Sequence, residues 1–169
     1  MRRATGVPVS EYLSTDYSPD VDYVEGELLE RNVGERDHSR IQTLLSRYLG
    51  NREKQWQICV FVEQRVQISA ARYRVPDICV IAGPYPEEQI FTHPPFLCIE
   101  ILSLDDRISR MREKIDDYLN FGVSYVWVID PASRRADIYA PGIRHDVKDG
   151  FLRTTNPELI VPFSEIFPG

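Results

Sequence analysis

The spacing of apolar residues along this 169-residue chain changes period several times, and each change marks an element. Ile41, Leu44, Leu45, Tyr48 and Leu49 recur at i, i+3, i+4, i+7 and i+8, which predicts a helix from about Glu35 to Asn51. Asp37 or Ser39 can cap its start, and Gly50-Asn51 can stop it. Ahead of it, residues 8–20 read as a short helix and a loop closed by Ser18-Pro19-Asp20, and Val21–Glu30 as a hairpin turning near Gly26. Behind it the period falls to two. Ile58, Val60, Val62, Val66 and Ile68 predict one long strand with a kink near Glu63-Gln64. Val75–Ala82 is a nearly unbroken apolar run rich in β-branched residues, the signature of a central strand buried on both faces. Gly83–Pro95, with its glycine and prolines, is a surface loop. Phe96–Leu102 is a second central strand, Asp105–Phe121 a helix ended by Gly122, and Tyr125–Asp130 a core strand stopped by Pro131. Arg135–Tyr139 and Phe151–Thr154 read as edge strands. This order predicts an α/β fold, a central mixed β-sheet flanked by α-helices. The length suits one domain over residues 1–169, with a core of about 20–141 and short extensions at both ends.

Two carboxylates break the apolar strand pattern. Asp77 follows Val75-Pro76, and Glu100 sits inside Phe96-Leu97-Cys98-Ile99-Glu100-Ile101-Leu102. A carboxylate in such a setting is costly to desolvate unless something compensates it. Two that meet repel each other, and a divalent cation is the usual remedy. Downstream, Ile108, Met111, Ile115 and Leu119 form the apolar stripe of the second long helix. At about 100° per residue, Lys114 and Tyr118 lie beside that stripe, while Glu113, Asp116 and Asp117 point further out as solvent-facing charge. From this border an ammonium can reach the end of the sheet while its stem covers apolar groups. Arg107 and Arg110 share its flank and could face a phosphate backbone. Singly, these residues have plain explanations: an Asp after Pro is often a turn former, and a border lysine is usually a surface group. Glu in an apolar strand is harder to dismiss, because Glu is rarely buried without a partner. Together, two acids and a lysine are the layout of metal-dependent phosphodiester hydrolysis.

Composition narrows the partners. The chain is 43% hydrophobic with a formal net charge of -6, so its overall field cannot drive binding to nucleic acid. Contacts to phosphates must come from local clusters: Arg36, Arg40 and Arg47; Arg65, Arg72 and Arg74; or Arg107, Arg110 and Arg112. The plain alternative for each cluster is a solvated face. No segment approaches the roughly 18 consecutive apolar residues that span a bilayer, and Met1–Pro8 lacks the apolar run of a secretory signal. Three unpaired cysteines, two of them in apolar strands, suit a reduced cytoplasmic setting. There is no G-x-S-x-G, phosphate-binding glycine loop or dinucleotide fingerprint. His38, His93 and His145 lack zinc spacing. His38 opens the first long helix and is at most an accessory to a site.

The motifs Val75-Pro76-Asp77, Ile99-Glu100-Ile101-Leu102-Ser103, Lys114 with Tyr118, Phe121-Gly122-Val123 and Val126-Trp127-Val128-Ile129-Asp130-Pro131 resemble, in that order, the Uma-two family. That family consists of bacterial proteins labelled restriction endonucleases within the PD-(D/E)XK nuclease superfamily. Tyr23-Val24-Glu25-Gly26-Glu27-Leu28 and His38 resemble its opening signature, and the likeness covers roughly residues 10–167. It implies a restriction-endonuclease-like core and a site for Mg²⁺, or Mn²⁺ in its place, in which Asp77 and Glu100 are ligands and Asp77, Glu100 and Lys114 are catalytic. His38, Glu27 and Tyr118 would be accessories, and Arg74, Arg107 and Arg110 contacts to nucleic acid. The superfamily lysine normally stands two residues after the second acid. Here that position is Leu102, and Lys114 on the following helix is the natural substitute. Arg110, four residues before the lysine, stands where many relatives carry an acid. The implied activity is endonucleolytic cleavage of DNA by a homodimer; the alternative is an inactive nuclease fold that binds nucleic acid or protein.

Overall fold

The computed structural model describes residues 3, 4 and 6–169, with the backbone alone for residues 3 and 4. Most of the charged start of the chain therefore lies outside the described residues. In chain order the elements are β1 (Arg3–Ala4), α1 (Val9–Leu13), β2 (Asp22–Val24), β3 (Glu27–Leu29), α2 (Arg36–Gly50), α3 (Glu53–Trp56), β4 (Ile58–Val62) and β5 (Val66–Ser69). There follow β6 (Arg72–Arg74), β7 (Ile78–Ala82), β8 (Leu97–Ile101), α4 (Ile108–Phe121), β9 (Tyr125–Asp130), β10 (Arg135–Ala140), β11 (Ile143–Asp146), β12 (Phe151–Arg153), β13 (Ile160–Pro162) and α5 (Phe163–Ile166).

The large sheet has strand order β11-β10-β9-β8-β7-β4. Only β8 and β9 run parallel, because α4 between them carries the chain back across the sheet. The mixed sheet flanked by helices is therefore present as the sequence predicts. Strand alternation decides what each face holds. Ile78 and Val80 of β7 and Leu97, Ile99 and Ile101 of β8 meet Ile41, Leu45 and Leu49 of α2 on one face. Cys79, Cys98, Val126 and Val128 meet Met111, Ile115 and Tyr118 of α4 on the other. Glu100 shares the parity of Cys98, so its side chain is delivered to the α4 face. Gly122 ends α4 at φ +114°, a backbone conformation that suits glycine and lets the chain turn back into β9.

A second sheet, of order β1-β3-β2-β6-β5, stands beside the first. Around it Tyr12, Tyr23 and Tyr73 form a small aromatic core with Val21. The hairpin expected over Val21–Glu30 is β2–β3 of this sheet, but the sequence pattern does not predict that other strands join it. The long strand expected over Ile58–Ile68 is two strands in two sheets. Glu63 takes φ +51° and donates its N–H to the Asp77 carbonyl at 3.2 Å, and the chain leaves one sheet for the other there. The short helix expected at the start of residues 8–20 is Val9–Leu13, followed by the expected loop. β10 is not an edge strand, because β11 pairs along it, and β12 belongs to a separate two-stranded sheet with β13. The six residues 72–77 make the reverse crossing, from β6 to β7. The site lies at this junction.

Candidate active site

Asp77 closes the Val75-Pro76-Asp77 connector between the sheets and is 3% exposed. Its Oδ2 accepts the backbone N–H of Ile101 at 2.8 Å, which places it against the residue after Glu100. His38, at the start of α2, brings Nε2 to 3.3 Å from the same oxygen. Arg31, just past β3, donates through Nη2 to Oδ1 at 2.6 Å. Gln42, one turn further along α2, holds the Asp77 carbonyl at 3.0 Å. Glu100 is equally buried. Tyr118 of α4 donates its hydroxyl to Oε1 at 2.7 Å, and Lys114 Nζ lies 3.7 Å from Oε2. The two acids and the lysine that the sequence singled out are thus neighbours, with His38 and Tyr118 as their hydrogen-bond supports.

A third buried carboxylate completes the cluster. Asp22, 1% exposed in β2, sits 3.6 Å from Lys114 Nζ through Oδ2, accepts Arg74 Nη1 on that oxygen at 3.1 Å, and accepts the Val75 N–H on Oδ1 at 2.9 Å. Lys114 therefore spans Asp22 and Glu100. Burial works against the lysine's charge, but Asp22, Glu100 and Asp77 outweigh it and raise its pKa. The carboxylates divide. Burial pushes Asp77 up, yet the His38 bond, Arg31 and the Ile101 N–H overcome it and hold the carboxyl below its ordinary range. In Glu100 burial prevails, helped by Asp77 and Asp22 against Lys114 and Tyr118, and the carboxyl is pushed up to about 7. One acid kept ionised beside one poised near neutrality is a pattern that concentrates at reactive sites. His38 is raised as well: burial opposes its charge, and the bond to Asp77 favours it more strongly.

The remaining expected residues sit at varied distances from this centre. A small cavity of about 40 Å³ is walled by Asp22, Arg31, Arg74, Arg107, Arg110 and Lys114 among others, so the basic flank of α4 opens onto the cluster. Arg107 is exposed. Arg74 is 2% exposed, with donors turned to Asp22 and to Asp117 Oδ2 at 2.7 Å. Arg72 also bonds Asp117, at 2.8 Å, and Arg65 is held by Asp20, so that arginine cluster is engaged inside the protein. Asp117, which helical spacing turns outward as plain surface charge, is in fact an internal partner. Glu27 stands in β3 opposite Val24, two residues before Leu29 at the mouth of the cavity. A broader cleft of about 560 Å³ lies on the other side of His38, walled by Ser103, Leu104, Asp106 and Asp130.

Asp77, Glu100 and the Ile101 backbone carbonyl are the hard oxygen donors that a divalent cation such as Mg²⁺ would take. Yet all four carboxylate oxygens already face protein donors. Among the described residues no group of three His, Cys, Asp or Glu side chains stands placed around a metal position. The donor types fit a cation; the place beside Asp77 is held by Arg31.

The family described as "putative restriction endonuclease", Uma2, matches residues 9–165. The chain belongs to the Uma2 family. A solved structure, that of "a putative nuclease belonging to DUF820" from Anabaena variabilis, is similar to this Uma2 protein over 95% of this chain and 97% of the other, with a TM-score of 0.81 and 25% sequence identity. No curated protein matches it significantly. No helix among the described residues of this Uma2 chain is long and apolar enough to cross a membrane. Arg31, Asp22 and Glu63 are the cluster members that sequence reasoning missed. A lone charge at a short strand's end or in a turn has no periodic signature, and their partners lie tens of residues away.

Proposed function

We propose that this protein is a metal-dependent endonuclease that hydrolyses phosphodiester bonds of DNA at Asp77, Glu100 and Lys114. The observation that carries this reading is the convergence of two buried acids and a half-buried lysine where the sheets meet, the lysine also lining a small cavity with arginines on its wall. A Mg²⁺ ion held by Asp77 and Glu100, or Mn²⁺ in its place, would supply an activated water and neutralise charge on the scissile phosphate. The chain's own groups do the rest. His38 and the Ile101 N–H fix the orientation of Asp77 and keep it ionised. Tyr118 fixes Glu100 against α4. Lys114, bridging Asp22 and Glu100, is a fixed positive charge beside the carboxylate site and can steady a water or the charge gathering on phosphate oxygens. Arg107 and Arg110 flank the opening, where an anionic backbone would pass, and supply locally the attraction that a net charge of -6 withholds. Cutting both strands of a duplex would be served by a homodimer.

The test is incubation of the protein with supercoiled plasmid, single-stranded DNA and RNA in Mg²⁺, in EDTA, and with Asp77→Asn. Cleavage of DNA that needs both the metal and Asp77 is the expected result; cleavage unaffected by Asp77→Asn would refute the site. The second reading, a nuclease fold that binds nucleic acid without cutting, draws on one observation: the carboxylates are ion-paired internally. It predicts DNA retention in a binding assay with no cleavage in any metal.

A further inference from the structure

Arg31 is the member of the cluster that no step of this mechanism uses. It lies two residues past the end of β3 and is 8% exposed. Its Nη2 bonds Asp77 at 2.6 Å, whereas its buried Nη1 has no hydrogen-bond partner, its nearest acid being Glu63 at 3.7 Å. Asp77 and Glu63 stand against it, and the charges of Asp22 and Glu100 add to theirs in favouring its protonated form over burial, so the guanidinium sits in the negative field of four carboxylates from separate segments. Such a focus of negative charge is what a divalent cation seeks. Here a side chain fills it, and imperfectly, since a planar fork suited to two-pronged pairing makes one good bond and leaves a donor stranded.

We propose that Arg31 is the resident counter-ion of the carboxylate site, standing in the divalent cation's place, so that metal loading requires its guanidinium to leave Asp77. This rests on the reading of Asp77 and Glu100 as metal ligands and adds a residue that controls access to them. Electrostatics argues for exchange over addition. Arg31, Lys114 and Arg74 together leave little net negative charge among Asp22, Glu63, Asp77 and Glu100, and two further positive charges would meet like charge within a few ångströms. Geometry supplies an exit. The cavity that Arg31 lines also has Glu30, Asp106 and Glu113 on its walls, acids that can receive the guanidinium once it swings away from the strand junction. Lys114 is a poorer candidate for this role, because its ammonium sits at 3.6 Å and 3.7 Å between Asp22 and Glu100 and forms its ion pairs with them rather than with Asp77.

The test is calorimetric titration of Mn²⁺ into the wild type, Arg31→Met and the double variant Arg31→Met/Glu100→Ala. Removing the competing charge should tighten binding on the order of tenfold or more, and the gain should vanish in the double variant. Equal affinity in wild type and Arg31→Met, binding by neither, or a gain that survives loss of Glu100 would each overturn the proposal. If Arg31→Met does not fold, Arg31→Lys replaces it, keeping the charge but losing the fork that holds Asp77; tighter Mn²⁺ binding than wild type is expected, and equal or weaker binding overturns the proposal. Plasmid cleavage by the wild type is scored separately. Cleavage without an affinity gain in the variants removes Arg31's role and leaves the nuclease. A gain without cleavage by any of the proteins does the reverse.

Discussion

Replacing Glu100 by Gln should make the protein more stable at neutral and alkaline pH while abolishing its activity. Glu100 is 2% exposed, and burial, with Asp77 and Asp22 nearby, lifts its carboxyl from 4.5 to about 7 against the pull of Lys114 and Tyr118. The pKa is higher folded than unfolded, so the folded state binds the extra proton and stability falls as pH rises between the two values. Below about pH 4.5 both states are protonated and Glu100 exacts no penalty; above about 7 both are ionised and the penalty is complete. At about 1.36 kcal/mol per unit, that penalty is about 3 kcal/mol. Gln keeps the shape and an acceptor for the Tyr118 hydroxyl, and carries no charge to bury. Thermal melts of wild type and Glu100→Gln at pH 8 should differ by roughly 6–12 °C in favour of the variant, taking roughly 2–4 °C per kcal/mol for a chain of this size. The gap should close as pH falls toward 4.5. A variant no more stable than wild type at pH 8, or an advantage that does not shrink in acid, would refute the claim that Glu100 is held ionised at the fold's expense.

Four further outcomes follow from the same geometry. Lys114→Met should leave Mn²⁺ affinity, read by calorimetry, within a few fold of wild type and remove most turnover in a plasmid assay; unchanged turnover would make the lysine a structural counter-ion only. Asp22→Asn leaves Lys114 and Arg74 short of a buried partner and should cost about 3–5 kcal/mol in urea unfolding, whereas a loss under 1 kcal/mol would deny it that role. His38 titrates above its ordinary 6.5 in the fold, so its bond to Asp77 contributes stability fully present below that pH and lost as pH rises through the folded value; His38→Gln should therefore destabilise more at pH 6 than at pH 9. Arg107→Ala should weaken DNA binding by a similar factor for all sequences and lower the salt dependence by about one phosphate contact, and an unchanged salt slope would take Arg107 off the path of the backbone.

The site was legible in the chain where a residue contradicted its own local pattern. Glu100 interrupts an apolar strand, and Lys114 lies beside the apolar stripe of α4. Both departures have a cost that only a partner can offset; Glu100 proves buried, Lys114 half-buried, and both are paired. Asp22, Arg31 and Glu63 contradict nothing nearby. Each looks like ordinary surface charge until the second sheet brings it to Asp77 or Lys114, and contacts such as Arg31 to Asp77 span 46 residues. The same limit explains the split strand: Ile58–Ile68 keeps its period of two through Glu63, and only the left-handed backbone there reveals a change of sheet. Asp117 shows the opposite error, since helical spacing turns it outward but Arg72 and Arg74 of β6 reach over to meet it.

Cleavage by the folded protein tests the assignment of the site most directly. Wild type and Glu100→Ala, each confirmed as folded, are incubated with supercoiled plasmid in Mg²⁺ and the products resolved on a gel. Nicked and linear DNA from the wild type alone is the predicted result. Intact plasmid in both lanes, or equal cleavage in both, would contradict the assignment of Asp77, Glu100 and Lys114 as a phosphodiester-cleaving centre.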